Sequence, residues 1–182
     1  MHWIIPGTTL EGLRSNADRT DGLFQSMFLA GGLTLSQVSS ITGLETHTIQ
    51  NWVKRGFLSP PRNKRYDMEQ VCRIININLL KGALPLEQII SLMAYLNGDL
   101  SDDSDDLIDD AVLFFLFVKL AARAQHIGGT KNWEDALEDA TASYVEPVPG
   151  AREKLIKVLR IMLTAWVANK LQQQAMEQIA QL

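Results

Sequence analysis

Glu45, His47, Gln50, Asn51 and Lys54 recur at intervals that place them on one side of a helix, opposite the apolar Ile49, Trp52 and Val53. Their chemistry is that of reading nucleic acid. Gln and Asn offer a donor and an acceptor that fit the adenine edge in the major groove, whereas Lys54 and Arg55 neutralise phosphate without reading sequence. Each good base contact discriminates by about 1–3 kcal/mol. A second cluster follows directly. Ser59-Pro60-Pro61 stops helix formation, and Arg62-Asn63-Lys64-Arg65-Tyr66 then sets three cations beside an aromatic. That run reads as an exposed, β-like wing that grips backbone phosphates.

The elements that must position these residues are legible from caps and periodicity. In TLSQVSSITG, Leu35, Val38 and Ile41 fall at helical spacing, Thr34 or Ser36 can cap the start, and Gly43 supplies a left-handed stop. Thr46, whose hydroxyl can accept an orphan backbone N–H, opens the second helix, THTIQNWVKR, and Gly56 ends it. Beyond the wing, Asp67 caps MEQVCRIININLLKG with Gln70 as its capping-box partner, and Val71, Ile74, Ile75 and Leu79 form the buried stripe. Pro85 starts LEQIISLMAYLN, which stops at Gly98. These two helices read as support for the recognition helix, with Met93 and Tyr95 in the core. Two short helices joined by a Gly turn also occur in all-α proteins that never touch DNA. The longer order is more specific: helix, Gly turn, helix, Gly, double Pro, basic patch, Tyr, capped helix.

From Leu33 to about Leu96 the chain resembles the amino-terminal DNA-binding domain of MerR-type regulators. The resemblance runs through LSQVSSITGLETHTIQNWVKRGFL, the wing RNKRY, and the helices DMEQVCRIININLLKGA and LPLEQIISLMAYL. It looks nearest to an uncharacterised bacterial family of MerR-like proteins with a helical tail. The resemblance implies a recognition helix from Thr46 to Arg55 and a wing holding Arg62, Lys64, Arg65 and Tyr66. The expected DNA-contacting set is therefore Thr46, His47, Gln50, Asn51, Lys54, Arg55, Arg62, Lys64, Arg65 and Tyr66. Gln50 and Asn51 stand where MerR proteins usually carry an Arg followed by an aromatic. The long amphipathic helix that directly follows this domain in MerR dimers is also lacking.

The remaining sequence narrows the function class. A formal net charge of −4 argues against a protein that coats nucleic acid indiscriminately, yet the five cations from Lys54 to Arg65 face only Glu45 and Asp67 within the motif. Cys72 is the single cysteine, which rules out a disulfide framework or thiol-rich metal site within one chain and suits a reducing cytoplasm. No signal peptide or membrane span is expected: the nearest apolar run, AVLFFLFVKLAA, is short and contains Lys119. GDLSDDSDDLIDD carries DDxxD-like aspartates, but no second cluster and no EF-hand spacing accompany them; it reads as a solvated loop whose acids favour the start of the next helix. Weak divalent-ion binding is the minor alternative there.

His2, His47 and His126 are isolated, no serine sits in a nucleophile elbow, and no Gly-rich loop follows a strand, so no catalytic site, cofactor or metal is expected. The fold class expected is mainly α: a MerR-like winged helix-turn-helix domain followed by an all-α helical tail domain. Its segments are an N-terminal arm and short helix over 1–32, in which Phe24, Met27 and Phe28 pack on the DNA-binding helices, the winged helix-turn-helix over 33–98, an acidic linker over 99–110, and the tail over 111–182. The last helix is apolar on much of its circumference up to Val167 and then becomes Gln-rich, with a narrower seam through Leu171, Met176 and Ile179. That seam suits a homodimer paired through the C-terminal helices, a partner helix, or core packing within one chain. The function expected is sequence-specific binding of double-stranded DNA as a transcriptional regulator, with the tail dimerising or sensing an effector. The alternative is a helical adaptor that reuses the same scaffold to grip protein.

Overall fold

A computed structural model describes residues 2–98, 100, 103–124 and 133–182, with the backbone alone for His2 and Asp103. The described residues are mainly α-helical, as the periodicity predicts. The chain begins with more structure than an extended arm. Strands β1 (His2–Ile4) and β2 (Glu11–Leu13) pair antiparallel with Trp3 opposite Gly12, and Ile5 N–H donates to Leu10 O at 2.9 Å to close the loop. A 3₁₀ turn over Arg14–Arg19 leads into α1 (Thr20–Phe28).

Next come β3 (Leu33–Thr34), α2 (Leu35–Thr42), α3 (Thr46–Lys54) and β4 (Arg65–Tyr66), with β3 and β4 antiparallel and Leu33 opposite Tyr66. Helices α4 (Met68–Leu80), α5 (Leu86–Asn97), α6 (Asp110–Ala124), α7 (Trp133–Thr141) and α8 (Ala151–Ile179), with a 3₁₀ turn over Asp103–Asp105 before α6, complete the described elements.

Local chemistry explains most of these boundaries. Thr34 and Asp67 each form a reciprocal capping box: Gln37 N–H donates to Thr34 Oγ1 and Thr34 N–H to Gln37 Oε1, and Gln70 N–H donates to Asp67 Oδ1 while Asp67 N–H donates to Gln70 Oε1. Gly43 and Gly56 follow α2 and α3 at φ 69° and 74°, the left-handed stop that only glycine adopts without a Cβ clash. Asp109 Oδ1 accepts from Ala111 N–H at 2.6 Å and Val112 N–H at 3.2 Å, so the end of the acidic run caps α6. Asp99, Asp102, His126, Gly128 and Gly129 lie outside the described residues.

Helix α4 is the centre of the molecule, with ten of its thirteen residues buried. Helices α2, α5, α6 and α8 pack around it, and α7 closes over α6 and α8. The buried apolar residues form one cluster from Ile5 to Trp166, which crosses between the 33–98 and 111–182 segments. Phe24 shows where the first thirty residues belong. Its ring centroid lies 5.3 Å from Phe114 and 5.6 Å from Phe115, in tilted and edge-on geometry, so α1 is seated on α6 of the tail as well as on α4. The expected docking of this segment on the helices of the 33–98 region thus extends to α6 of the tail. Met27 and Phe28 are only half-buried.

Candidate nucleic-acid interface

Helix α3 is built as the periodicity requires. Ile49 and Trp52 are buried beneath it, Val53 is half-buried, and Glu45, His47, Gln50, Asn51, Lys54 and Arg55 are exposed. The N-cap is Glu45, whose side chain makes no capping hydrogen bond, and Thr46 is the half-buried first residue of the helix. Thr46 therefore does not cap α3, because the backbone is already helical at that position. Among the described residues the side chains of His47, Gln50 and Asn51 form no hydrogen bond or ion pair.

The wing is a two-residue hairpin tip. Arg62 bridges Arg65, Arg65 N–H donates to Arg62 O at 2.9 Å, and Asn63 and Lys64 both take positive φ, 50° and 59°. Positive φ at both central residues gives the turn a twist that matches paired strands. Asn tolerates that conformation, but Lys does so at a cost of about 1 kcal/mol. The tip thus holds Lys64 outward in a conformation that its own backbone disfavours. At the base, Gly32 (φ 94°) passes so close to β4 that a Cβ there would lie 2.8 Å from Tyr66 O. Arg65 Nη1 donates to Gly32 O at 2.8 Å across the same contact.

The ten expected contact residues therefore divide. Lys54, Arg62 and Lys64 are exposed and enter no salt bridge among the described residues. Arg55 is exposed too, but its guanidinium lies 2.9 Å from Glu87 Oε1 of α5 and 4.4 Å from the centroid of the Phe57 ring. Arg65 is exposed but spends one guanidinium nitrogen on Gly32. Tyr66 must be withdrawn from the contact set. It is 2% exposed, because its place opposite Leu33 turns the ring into the core, and burial pushes its phenol above the usual range.

Sequence spacing missed the residues that fix the wing to the body. Gln70 Nε2 donates to Ser59 O, Ser59 Oγ and Pro60 O at 3.2, 2.9 and 3.0 Å, holding the turn between α3 and the wing. Arg73 Nε donates to Phe57 O at 3.0 Å, and its Nη1 meets Asp110 Oδ2 at 3.0 Å in a buried ion pair. Asn76 Nδ2 adds a bond to the Asp110 carbonyl at 3.1 Å. Burial pushes the Asp110 carboxyl up against the lowering pull of Arg73. A polar cleft of about 430 Å³ opens beside this brace, lined by Arg62, Asp67, Gln70, Arg73 and Asp110. The sequence shows Gln70 only as a capping partner, and no local spacing points from Arg73 to its partners, which lie 16 and 37 residues away.

Residues 31–112 match the family described as Domain of unknown function (DUF1836). The match runs from the turn before β3 to the first residues of α6, and so includes both ends of the Arg73–Asp110 brace. The Uncharacterized protein YkrK of Bacillus subtilis (strain 168) is 32% identical over 78 residues, covering 41% of this chain and 34% of that relative. The chain thus spans about a third of the length of the curated relative it matches. No solved structure gives a significant match.

Proposed function

We propose that this protein binds double-stranded DNA sequence-specifically and regulates transcription, with α3 in the major groove and the Arg62–Lys64 tip on the adjacent phosphates. The observation that carries this reading is the state of the α3 face: His47, Gln50, Asn51 and Lys54 stand exposed on a helix whose other face is locked down by Ile49 and Trp52, and none has a salt-bridge partner among the described residues. Polar side chains held on a rigid element without an internal partner are available to an external one. Gln50 and Asn51 supply base discrimination, and Lys54, Arg62 and Lys64 supply the phosphate term. The likeness to MerR-type DNA-binding domains supports the same assignment. No helix among the described residues is long and apolar enough to cross a membrane.

The test is retention of random duplex DNA by the full chain across a salt series, followed by sequencing of the retained pool. The expected result is an enriched motif. With three phosphate-directed cations per protomer, the logarithm of affinity should fall with the logarithm of salt at a slope of about −3 per protomer. The Arg62→Ala, Lys64→Ala variant should bind all sequences more weakly and lower that slope by about 2. Retention without a motif removes the base-reading role of α3. No retention at low salt overturns the DNA assignment and favours the adaptor, in which the same face grips protein.

A further inference from the structure

Helix α8 leaves the core after Trp166. Leu155, Val158, Leu159, Met162, Leu163 and Trp166 are buried, whereas every residue from Lys170 to Leu182 is exposed. At this transition a cleft of about 470 Å³ opens between α8, the C-terminal end of α4 and the loop after β1. None of the residues that line it belongs to α3 or the wing.

The walls of the cleft are fixed. Asn78 Nδ2 donates to Gly7 O at 2.9 Å and to Thr42 O at 2.8 Å, tying the loop to α4 and to the end of α2. Gly7 passes so close to α4 that a Cβ there would lie 2.8 Å from Ile75 O. On the other side, the Asn169 amide stands 2.5 Å from where a Cβ on Gly82 would be. A cavity of this size on rigid elements is in the range that takes small molecules.

Its polar lining consists of donors without internal acceptors. Trp166 is 5% exposed, yet its indole N–H makes no hydrogen bond among the described residues, although a buried indole usually finds a partner. Lys170 Nζ lies 5.0 Å from the centroid of that ring, and Lys81 lines the same cleft. Neither lysine enters a salt bridge among the described residues. Partial desolvation holds both ammonium groups below the usual lysine range, and Arg14 pushes Lys170 further the same way. Asn169 and Gln173 add two side-chain amides that bond to nothing among the described residues. No Asp or Glu among the described residues lines the cleft, whereas Asp67 and Asp110 offset Arg62 and Arg73 in the one beside the brace.

Partly dehydrated cations without a counterion are relieved by an anion, and convergent N–H donors hold one through charge-assisted bonds. We infer that this cleft binds a small organic anion, whose phosphate or carboxylate group is met by Lys81, Lys170 and the Trp166 indole N–H and whose body covers Ile4 and Pro6. The site needs no DNA and stands apart from the reading of α3.

Titration of the ¹⁵N-labelled full chain without DNA, followed through its indole N–H resonances, tests the site. The chain has four tryptophans, and Trp166→Phe identifies the signal concerned. The probes are phenyl phosphate and benzoate, with benzylamine as a cation of similar shape. At least one of the two anions should move the Trp166 signal to saturation at millimolar concentration or below, and the tighter of them tells phosphate from carboxylate recognition. Benzylamine should leave the signal in place. The double variant Lys81→Gln, Lys170→Gln changes two exposed residues and should keep its circular dichroism while binding the anion about tenfold more weakly. A Trp166 signal that ignores both anions, that answers benzylamine equally, or that titrates with unchanged affinity in the double variant overturns the site. A signal moved by short duplex DNA and by neither small anion also overturns it, and makes the cleft a contact for backbone phosphate. None of the small-molecule outcomes bears on motif selection by α3.

Discussion

Helices α3 and α4 are neighbours in sequence and opposites in what they do with polar side chains. On α4, Gln70, Arg73 and Asn76 are all buried, and each reaches a named acceptor in another segment: Ser59, Phe57 and Asp110. On α3, Gln50, Asn51 and Lys54 are exposed and reach nothing among the described residues. Burying a polar group without a partner is costly, so polar residues on a central helix must be answered internally. An exposed polar group is answered by water, and its identity is free to be set by an outside partner. The contrast separates residues that hold the fold from residues that the fold holds up.

The comparison breaks most visibly at the brace. Asp110→Ala leaves Arg73 charged and buried without its partner, and chemical denaturation should report a loss of about 3–5 kcal/mol. A loss under 1 kcal/mol would mean that α4 is no more internally committed than α3.

Gln50→Ala and Asn51→Ala should each cost about 1–3 kcal/mol of discrimination between the selected motif and random duplex, measured by competition binding. The same two changes should leave stability within about 0.5 kcal/mol. Equal losses on specific and random DNA would end their reading as base contacts.

Lys64 sharpens the comparison, since one residue carries both kinds of term. Lys64→Gly relieves the left-handed strain and should raise stability by about 1 kcal/mol in thermal denaturation. On the proposed DNA-binding reading it also loses a phosphate contact and should lower the salt slope by about 1. If stability and affinity fell together, the tip would be part of the packed structure and not a presented group.

The smallest effect is expected at Tyr66. Tyr66→Phe keeps the buried ring and should leave DNA affinity unchanged in the same assay. A clear loss would return Tyr66 to the contact set.

Much of the scaffold is legible in the sequence. The cap at Thr34, one of two candidates beside Ser36, the capping box at Asp67, the glycine stops at Gly43 and Gly56, and the start of α5 after Pro85 all act within about four residues of themselves. So does the alternation that exposes Gln50 and Asn51 while burying Ile49 and Trp52. Residue type alone misplaces two side chains, the Thr46 hydroxyl as a cap and the Tyr66 aromatic as a wing contact. Backbone geometry moved the cap to Glu45, and the register with Leu33 turned Tyr66 inward.

By itself, the sequence determined the helices, most of their caps, the polar face of α3 and the change of character along α8. These are local properties, governed by side-chain periodicity and by hydrogen bonds to nearby backbone. Only the tertiary structure decided that Phe24 packs on Phe114 and Phe115, that Arg73 pairs with Asp110, and that Arg55 and Arg65 are partly occupied while Lys54, Arg62 and Lys64 are not. Each such pairing joins segments brought together by the closing of loops onto one core. Nothing in the spacing of a linear chain records which distant residue will be waiting there.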